Sequence, residues 1–132
     1  MIVQLKNVSK QYKDANFKLE NISFDINKKE VIGIIGRNGT GKSTILKMIN
    51  GIVNYDSGDI LYKNQSLSEM TPATLRQTRK NLAYIFQHSN LIDNKSVYYH
   101  LSLVYKLNKV PVDKKKVSYI LEFMNISHLK DS

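Results

Sequence analysis

The sequence predicts an α/β fold, and three kinds of pattern predict it. Two segments near the N-terminus alternate apolar and polar residues, as half-buried strands do. A short run, VIGIIG at residues 31–36, is apolar throughout, which favours a strand covered on both faces. Three later segments place apolar residues at helical spacing. A chain of 132 residues with a 42% hydrophobic share is long and apolar enough to bury a core.

The N-terminal elements are predicted to be strands. Residues 2–8 and 19–26 alternate, and a polar turn at residues 13–16 joins them, so they are expected to pair in antiparallel fashion. The run at residues 31–36 is predicted to be a parallel core strand, because parallel strands are buried on both faces.

The rest of the chain is predicted to hold four helices and two short strands. Gly51 is expected to end the first helix, and Pro111 separates the last two. Pro72 suits the first turn of another helix, with Thr71 as its N-cap. The predicted helices cover residues 42–50, 72–80, 96–107 and 112–124, and the predicted strands cover residues 59–63 and 82–86.

Composition and charge restrict the class of protein. The sequence has no cysteine, which excludes disulfides and thiolate metal sites. No apolar run approaches the roughly 20 residues that cross a bilayer, and MIVQLKNVSK does not resemble a secretory signal, so the cytosol is expected. The formal charge is +9, but only residues 114–116 form a tight lysine cluster. Scattered lysines favour a solvated surface over a nucleic-acid or membrane patch.

A glycine-rich segment follows the apolar run. Residues 36–44 read GRNGTGKST and match the pattern G-x-x-x-x-G-K-[ST] through Gly36, Gly41, Lys42 and Ser43. The predicted strand before it and helix after it are the context in which this pattern binds phosphate. A glycine-rich turn without a ligand is the alternative, but the four fixed positions match by chance in about one chain in 200 of this length. The segment is therefore predicted to bind a nucleoside triphosphate, with ATP as the first candidate.

The chemistry of phosphate binding accounts for each residue type in this segment. Its glycines, including Gly39, let the backbone adopt conformations closed to other residues and approach phosphate closely. Successive N–H groups then point into one concavity, and the helix that follows adds its positive end. Lys42 supplies an ammonium for the β- and γ-phosphates, Ser43 a hydroxyl ligand for Mg²⁺, and Thr44 a donor to the α-phosphate.

Beyond this loop, the sequence resembles the ATP-binding subunits of ABC transporters over nearly its whole length. Residues 8–12 (VSKQY) are similar to the family's first strand and the aromatic residue after it, and residue 39 is a glycine, as in the family's loop. Residues 84–88 (YIFQH) resemble the segment that ends in the family's Q-loop glutamine. The stretches IGIIGRNGTGKSTILKMING and YIFQHSNLIDNKSVYYHLSL are similar to importers of methionine and related amino acids.

The resemblance implies roles for individual residues. Tyr12 would stack on adenine, and its alternative is a tyrosine packed on the core at a strand end. Gln87 would ligate Mg²⁺ or the attacking water and relay the nucleotide state to a membrane subunit, and its alternative is a solvent-facing amide. Lys42 and Gln87 are thus the expected catalytic residues, and Ser43 and Gln87 the expected metal ligands. The residues expected to bind the nucleotide are Tyr12, Gly36, Arg37, Asn38, Gly39, Thr40, Gly41, Lys42, Ser43 and Thr44.

The implied fold is an α/β P-loop NTPase, namely an ABC-type nucleotide-binding domain truncated before its signature and Walker B motifs. Residues 1–132 would form the N-terminal part of the domain, with the ATP-binding core at 1–90 and the start of the helical subdomain at 91–132. Neither an L-S-G-G-Q signature nor an apolar run followed by an acidic pair occurs in the sequence. We therefore expect binding of Mg²⁺–ATP with little turnover by this chain alone.

The resemblance also implies the biological setting. The expected function is the ATP-binding subunit of an importer for an amino acid of the methionine type, with ATP and transmembrane permease subunits as partners. The intact family member would be a homodimer, cytoplasmic and peripheral on the inner face of the membrane, with no nucleic-acid partner expected. The alternatives are a soluble ABC-type ATPase that acts on nucleic acid or the ribosome, and a non-catalytic remnant. An unpaired strand at residues 31–36 would make the chain poorly soluble or marginally stable.

Overall fold

The computed structural model describes residues 1–12, 17–88 and 90–132. The chain divides into two compact units, Met1–Ile85 and Phe86–Ser132, and each is described by itself. The turn predicted at residues 13–16 lies outside the described residues.

The first unit contains a four-stranded antiparallel sheet in the order β2-β1-β3-β4. The predicted antiparallel pairing of the first two strands is confirmed, since Val3 lies opposite Ile26 and Gln11 lies opposite Lys18. The strand predicted at residues 59–63 is found as β3. The strands are β1 (Val3–Gln11), β2 (Lys18–Ile26), β3 (Ser57–Tyr62) and β4 (Gln65–Ser66).

The alternation along β1 turns one face of the sheet toward the core. Val3, Leu5 and Val8 are buried, and the change of spacing between Leu5 and Val8 coincides with an irregularity in the pairing with β2. Gly58 of β3 lies against this irregular stretch, where a Cβ atom would come within 2.3 Å of the Asn7 carbonyl oxygen. Only glycine fits so close to a neighbouring backbone, so Gly58 keeps β3 paired with β1.

Helix α1 (Lys42–Ile49) packs on the covered face of this sheet. Its buried stripe of Ile45, Met48 and Ile49 follows from helical spacing. The predicted stop at Gly51 is confirmed, because Gly51 has φ 63° and donates to the Met48 carbonyl oxygen at 2.9 Å. The core cluster consists of Val3, Leu5, Val8, Leu19, Ile45, Met48, Ile49, Ile60, Tyr62 and Leu67.

Helix α2 (Pro72–Arg79) follows β4 and begins as predicted. The Thr71 hydroxyl accepts a hydrogen bond from the Thr74 N–H at 3.2 Å, and Pro72 occupies the first turn. The Arg79 Nε donates to the Asn50 carbonyl oxygen at 3.1 Å, and this bond ties the end of α2 to the end of α1.

The structure differs from the sequence-based prediction at residues 31–36 and 82–86. Both segments were expected to be strands, but neither joins a ladder with any strand in the described part of the chain. Val31 and Ile35 are 98% and 97% exposed, whereas Ile34 is half-buried against the core, so the prediction of a run covered on both faces is wrong. Apolar composition indicates a tendency to be buried, but a strand also needs a hydrogen-bonding neighbour. None of the described strands pairs with this run.

The second unit is helical. Helices α3 (Val97–Leu107) and α4 (Lys114–Phe123) match the predicted helices to within two residues at each end, and a single 3₁₀ turn, Ser127–Leu129, follows. Ser96 caps α3 by accepting from the Tyr99 N–H at 3.1 Å, and Asp113 caps α4 by accepting from the Lys116 N–H at 3.0 Å. Among the described residues, no helix is long and apolar enough to cross a membrane.

Candidate functional site

The glycine-rich loop at residues 36–44 leads from the apolar run into α1 and adopts the special backbone that the sequence predicts. Gly39 and Gly41 have φ values of 81° and 91°, in the region that residues with a Cβ rarely occupy. A Cβ atom at Gly41 would also lie 2.3 Å from the Cζ atom of Phe17 and 2.9 Å from a Leu19 methyl. The loop is therefore held against β2 by contacts that only a glycine at position 41 permits.

The Lys42 side chain lies across the loop. Its Nζ atom donates to the carbonyl oxygens of Gly36 and Arg37 at 2.9 and 2.6 Å. The Thr40 hydroxyl also donates to the Arg37 carbonyl at 2.9 Å. The ammonium thus lies next to the concavity of the loop, and in the described part of the chain it is bonded only to neutral acceptors. An anionic oxygen would be a stronger partner and would replace them.

The N-terminus of α1 differs from those of the other three α-helices. Its N-cap residue is Gly41, which has no side chain to offer, whereas Thr71, Ser96 and Asp113 cap the other helices. Within the described residues, the backbone N–H groups of residues 42–44 have no acceptor. Unpaired N–H groups at the positive end of a helix are the donors that phosphate oxygens accept from, so the start of α1 fits an anion.

The remaining loop residues lie at the surface. Arg37, Asn38 and Ser43 are exposed, and Thr44 is half-buried. The Ser43 hydroxyl makes no hydrogen bond within the described residues, so it is available as a hard oxygen ligand of the kind that Mg²⁺ takes. The loop residues predicted to bind nucleotide and Mg²⁺ therefore all lie around the start of α1.

Tyr12 lies at the end of β1, beside Lys10, Gln11 and Asp56, and these four residues line a depression of about 610 Å³. Tyr12 as a whole residue is 38% exposed, and the Lys10 Nζ atom lies 5.5 Å from the ring centroid. The Asp56 carboxylate accepts hydrogen bonds from the Lys10 ammonium and the Gln11 N–H, both at 2.8 Å. These bonds hold the pKa of Asp56 below its ordinary value of 3.8, chiefly through the Lys10 hydrogen bond.

Gln87 belongs to the second unit, where it is exposed. The loop and Tyr12 belong to the first unit. Residues 36–44 thus lie together in the first unit. The expected roles of Gln87, as a metal ligand and as a relay, stay predictions.

Two residues of this region were missed by the sequence analysis. The Phe17 ring lies against Gly41. The Asp56 carboxylate binds the N–H of Gln11 at the end of β1, 45 residues earlier in the chain. Phe17 had no signal beyond its apolar character. Asp56 directly precedes β3, and its contact with Gln11 became visible only in the fold.

The fold and the loop define a P-loop nucleotide-binding protein of the α/β class. A family model described as ABC transporter matches residues 19–132. The chain belongs to this family, as an ATP-binding domain of the ABC type.

Individual relatives agree with this assignment. The methionine import ATP-binding protein MetN of Clostridium tetani is 40% identical over 117 residues, which are 86% of this chain and 36% of that protein. The molybdate/tungstate import ATP-binding protein WtpC of Methanocaldococcus jannaschii is 37% identical over 131 residues, which are 97% of this chain and 41% of that protein. The present chain thus spans about two fifths of the length of these relatives.

A solved structure has the same fold. The cbiO1 protein of Clostridium perfringens, described as part of the ABC transporter complex cbiONQ, superposes with a TM-score of 0.78 at 30% identity. The match covers 99% of this chain and 53% of that protein. The expected ABC-type fold is therefore confirmed for the part of the domain that this chain represents.

Proposed function

We propose that this chain is the ATP-binding part of an ABC importer subunit and binds Mg²⁺–ATP at residues 36–44. The observation that carries the proposal is the start of α1, where three backbone N–H groups lack acceptors among the described residues, beside a glycine loop and the Lys42 ammonium. No other α-helix start in the described residues is left without a side-chain cap.

Each loop residue has a role in this proposal. The N–H groups of residues 42–44 donate to phosphate oxygens, and Gly39 and Gly41 give the backbone the curvature that aims them. The Lys42 ammonium leaves the carbonyl oxygens of Gly36 and Arg37 and binds the β- and γ-phosphates. The Ser43 hydroxyl holds Mg²⁺, which neutralises charge on the phosphates. Arg37, Asn38 and Thr40 add loop contacts, and Tyr12 stacks on the adenine.

Hydrolysis is proposed for the intact family member rather than for this chain alone. Gln87 would orient the attacking water or complete the Mg²⁺ coordination. The sequence contains no acidic pair after an apolar run, so the base that would activate the water is not supplied by these residues. We therefore expect nucleotide binding with little phosphate release.

The proposed cargo is an amino acid of the methionine type. Its support is that several relatives named methionine import ATP-binding proteins are 30–40% identical to this chain. A relative named for molybdate and tungstate import is 37% identical, so the importer class has broader support than the substrate. Permease subunits, a second ATP-binding subunit and a position at the cytoplasmic face of the membrane complete the proposal.

The test is the affinity of the purified chain for ATP with and without Mg²⁺, measured by isothermal titration calorimetry. Lys42→Ala is expected to weaken Mg²⁺–ATP binding about tenfold or more, because a charge-assisted contact to phosphate is worth roughly 1.5–3 kcal/mol. Lys47→Ala removes an ammonium from the opposite end of the same helix and serves as the matched control, with unchanged affinity expected.

Two results would contradict the proposal. One is an absence of Mg²⁺-dependent affinity in the folded wild-type chain. The other is an equal effect of Lys42→Ala and Lys47→Ala, which would mean that only net charge matters. Binding of nucleic acid with a steep salt dependence, without nucleotide affinity, would favour the soluble ATPase alternative.

A further inference from the structure

Asp56 occupies an unusual position for an exposed carboxylate, because both of its oxygens and its own N–H bind the end of β1. Oδ1 accepts from the Lys10 Nζ atom at 2.8 Å, and Oδ2 accepts from the Gln11 N–H at 2.8 Å. The Asp56 N–H donates to the Ser9 carbonyl oxygen at 2.9 Å. Three consecutive residues of β1 are thus fixed by one aspartate that precedes β3.

These bonds end immediately before Tyr12. Gln11 is the residue whose N–H is held, and Lys10 is the residue whose ammonium lies 5.5 Å from the Tyr12 ring centroid. Asp56 therefore controls both the backbone that carries the Tyr12 ring and the cation on one face of that ring. A tyrosine ring that carries a cation on one face can stack a base on the other.

The arrangement is poorly explained as a stability device. The Asp56 side chain is 48% exposed, and an exposed ion pair contributes little to folding. The bonds instead restrict the backbone at Ser9 and Gln11, directly before Tyr12. A ring that is already fixed loses less conformational freedom when a ligand stacks on it, which raises affinity without adding a contact.

We propose that Asp56 is a positioning residue for nucleotide base recognition: together with Lys10 it fixes the Tyr12 ring so that a purine base stacks on the face opposite Lys10. This inference rests on the proposed function, in which Tyr12 contacts adenine. Asp56 itself touches neither the base nor the phosphates in this scheme. Its effect on the nucleotide is transmitted through Gln11 and Tyr12.

The experiment distinguishes binding of the base from binding of the phosphates. Affinities for Mg²⁺–ATP and for Mg²⁺–tripolyphosphate, which has no base, are measured for the wild-type chain and its variants by calorimetry. Tyr12→Ala is expected to lower ATP affinity about five- to a hundredfold, the range of base–aromatic stacking. Asp56→Asn is expected to lower it about two- to tenfold, as suits the loss of one ordered side chain. Both should leave tripolyphosphate affinity unchanged.

The controls use a matched aspartate and a double variant. Asp25→Asn removes the same charge from an exposed position on β2 and is expected to change neither affinity. Tyr12→Ala combined with Asp56→Asn is expected to bind ATP no more weakly than Tyr12→Ala alone, because Asp56 acts through the ring.

The outcomes distinguish this inference from the proposed function. An unchanged ATP affinity in Asp56→Asn, or an equal loss for both ligands, would overturn the positioning role while the phosphate loop stands. An unchanged ATP affinity in Tyr12→Ala would overturn base stacking and the positioning role together. A wild-type chain that binds neither ligand would overturn the proposed function itself.

Discussion

At Gly41, two independent features exclude any other residue. Its φ of 91° lies where a Cβ is unfavourable, and a Cβ there would also overlap the Phe17 ring at 2.3 Å. Gly39 shares the first feature with φ 81° but not the second, since no atom of the described residues lies within 4 Å of its Cβ position. The two glycines thus serve the same loop for partly different physical reasons.

We predict that Gly41→Ala destabilises the chain more than Gly39→Ala. The strained backbone alone is expected to cost Gly39→Ala about 1–2 kcal/mol in the free energy of unfolding. Gly41→Ala is expected to cost about 1–3 kcal/mol more, because Phe17 and Leu19 must move. Urea denaturation followed by circular dichroism measures both values. Equal losses would show that the Phe17 contact relaxes without cost.

Asp56 gives a pH-dependent prediction. Its pKa is lowered chiefly by the Lys10 hydrogen bond and also by the Gln11 hydrogen bond. Its ionised form therefore contributes a small, solvent-screened stability that is present above the ordinary value of 3.8 and is lost as pH falls through the lowered value. Asp56→Asn lacks this pH-dependent contribution to stability. The difference in unfolding free energy between the wild type and Asp56→Asn should therefore be constant above about pH 5 and shrink below pH 4.

Unfolding curves recorded from pH 6 to about pH 2.5 measure this difference. Asp25→Asn, which removes the same charge from an exposed position on β2, is the control for the loss of one negative charge. A difference between the wild type and Asp56→Asn that stays constant to the lowest pH would contradict the prediction.

At the scale of the elements, helices α1, α3 and α4 share one way of ending. Helices α1, α3 and α4 end with a left-handed residue, at Gly51, Lys109 and Asn125 with φ of 63°, 56° and 55°. In each case that residue and the next donate back to carbonyl oxygens of the last turn. A lysine at such a position is less favourable than a glycine.

We predict that Lys109→Gly stabilises the chain by about 1 kcal/mol, because it relieves the left-handed strain at an exposed position. Lys106→Gly, within the last turn of α3, is the control and should destabilise by about 1 kcal/mol. Thermal and urea unfolding of the two variants would check the opposite signs. A loss of stability in Lys109→Gly would mean that the lysine side chain makes a contribution larger than the strain.

At the scale of the whole molecule, the most exposed of the described large apolar side chains lie on two segments. Val31, Ile35 and Ile85 are at least 95% exposed, and they lie on the two segments that were expected to be core strands. Ile32 and Ile34 line a shallow groove together with Ile22, Phe24 and Ile45. Exposed apolar side chains on a segment without a ladder partner favour association with another chain.

We therefore expect the wild-type chain to self-associate at micromolar concentration. The double substitution of Val31→Lys with Ile35→Lys should reduce association with little change in stability, because both side chains are almost fully exposed. The control is Gln77→Lys with Ser118→Lys, which adds two positive charges at exposed helix positions. Sedimentation velocity measures the outcome. A wild-type chain that stays monomeric and melts cooperatively would contradict the prediction.

The sequence alone determined the features that depend on neighbouring residues. The glycine loop, the cap at Thr71 and the stop at Gly51 were predictable, because backbone dihedrals and capping bonds involve residues a few positions apart. The antiparallel pair of strands was predictable because both segments alternate and only a short turn separates them. The family resemblance follows from the same local motifs. The loop part of the candidate site was thus available before any tertiary information.

The tertiary structure decided what depends on distant parts of the chain. It showed that residues 31–36 lack a ladder partner among the described strands, that Phe17 closes against Gly41, and that Asp56 binds Gln11 across 45 residues. The apolar composition of residues 31–36 indicated a preference for burial. The position of a neighbouring strand or carboxylate, however, depends on the tertiary fold of the chain. Contacts of that kind leave no periodic or local signal in the sequence, and only the folded arrangement reveals them.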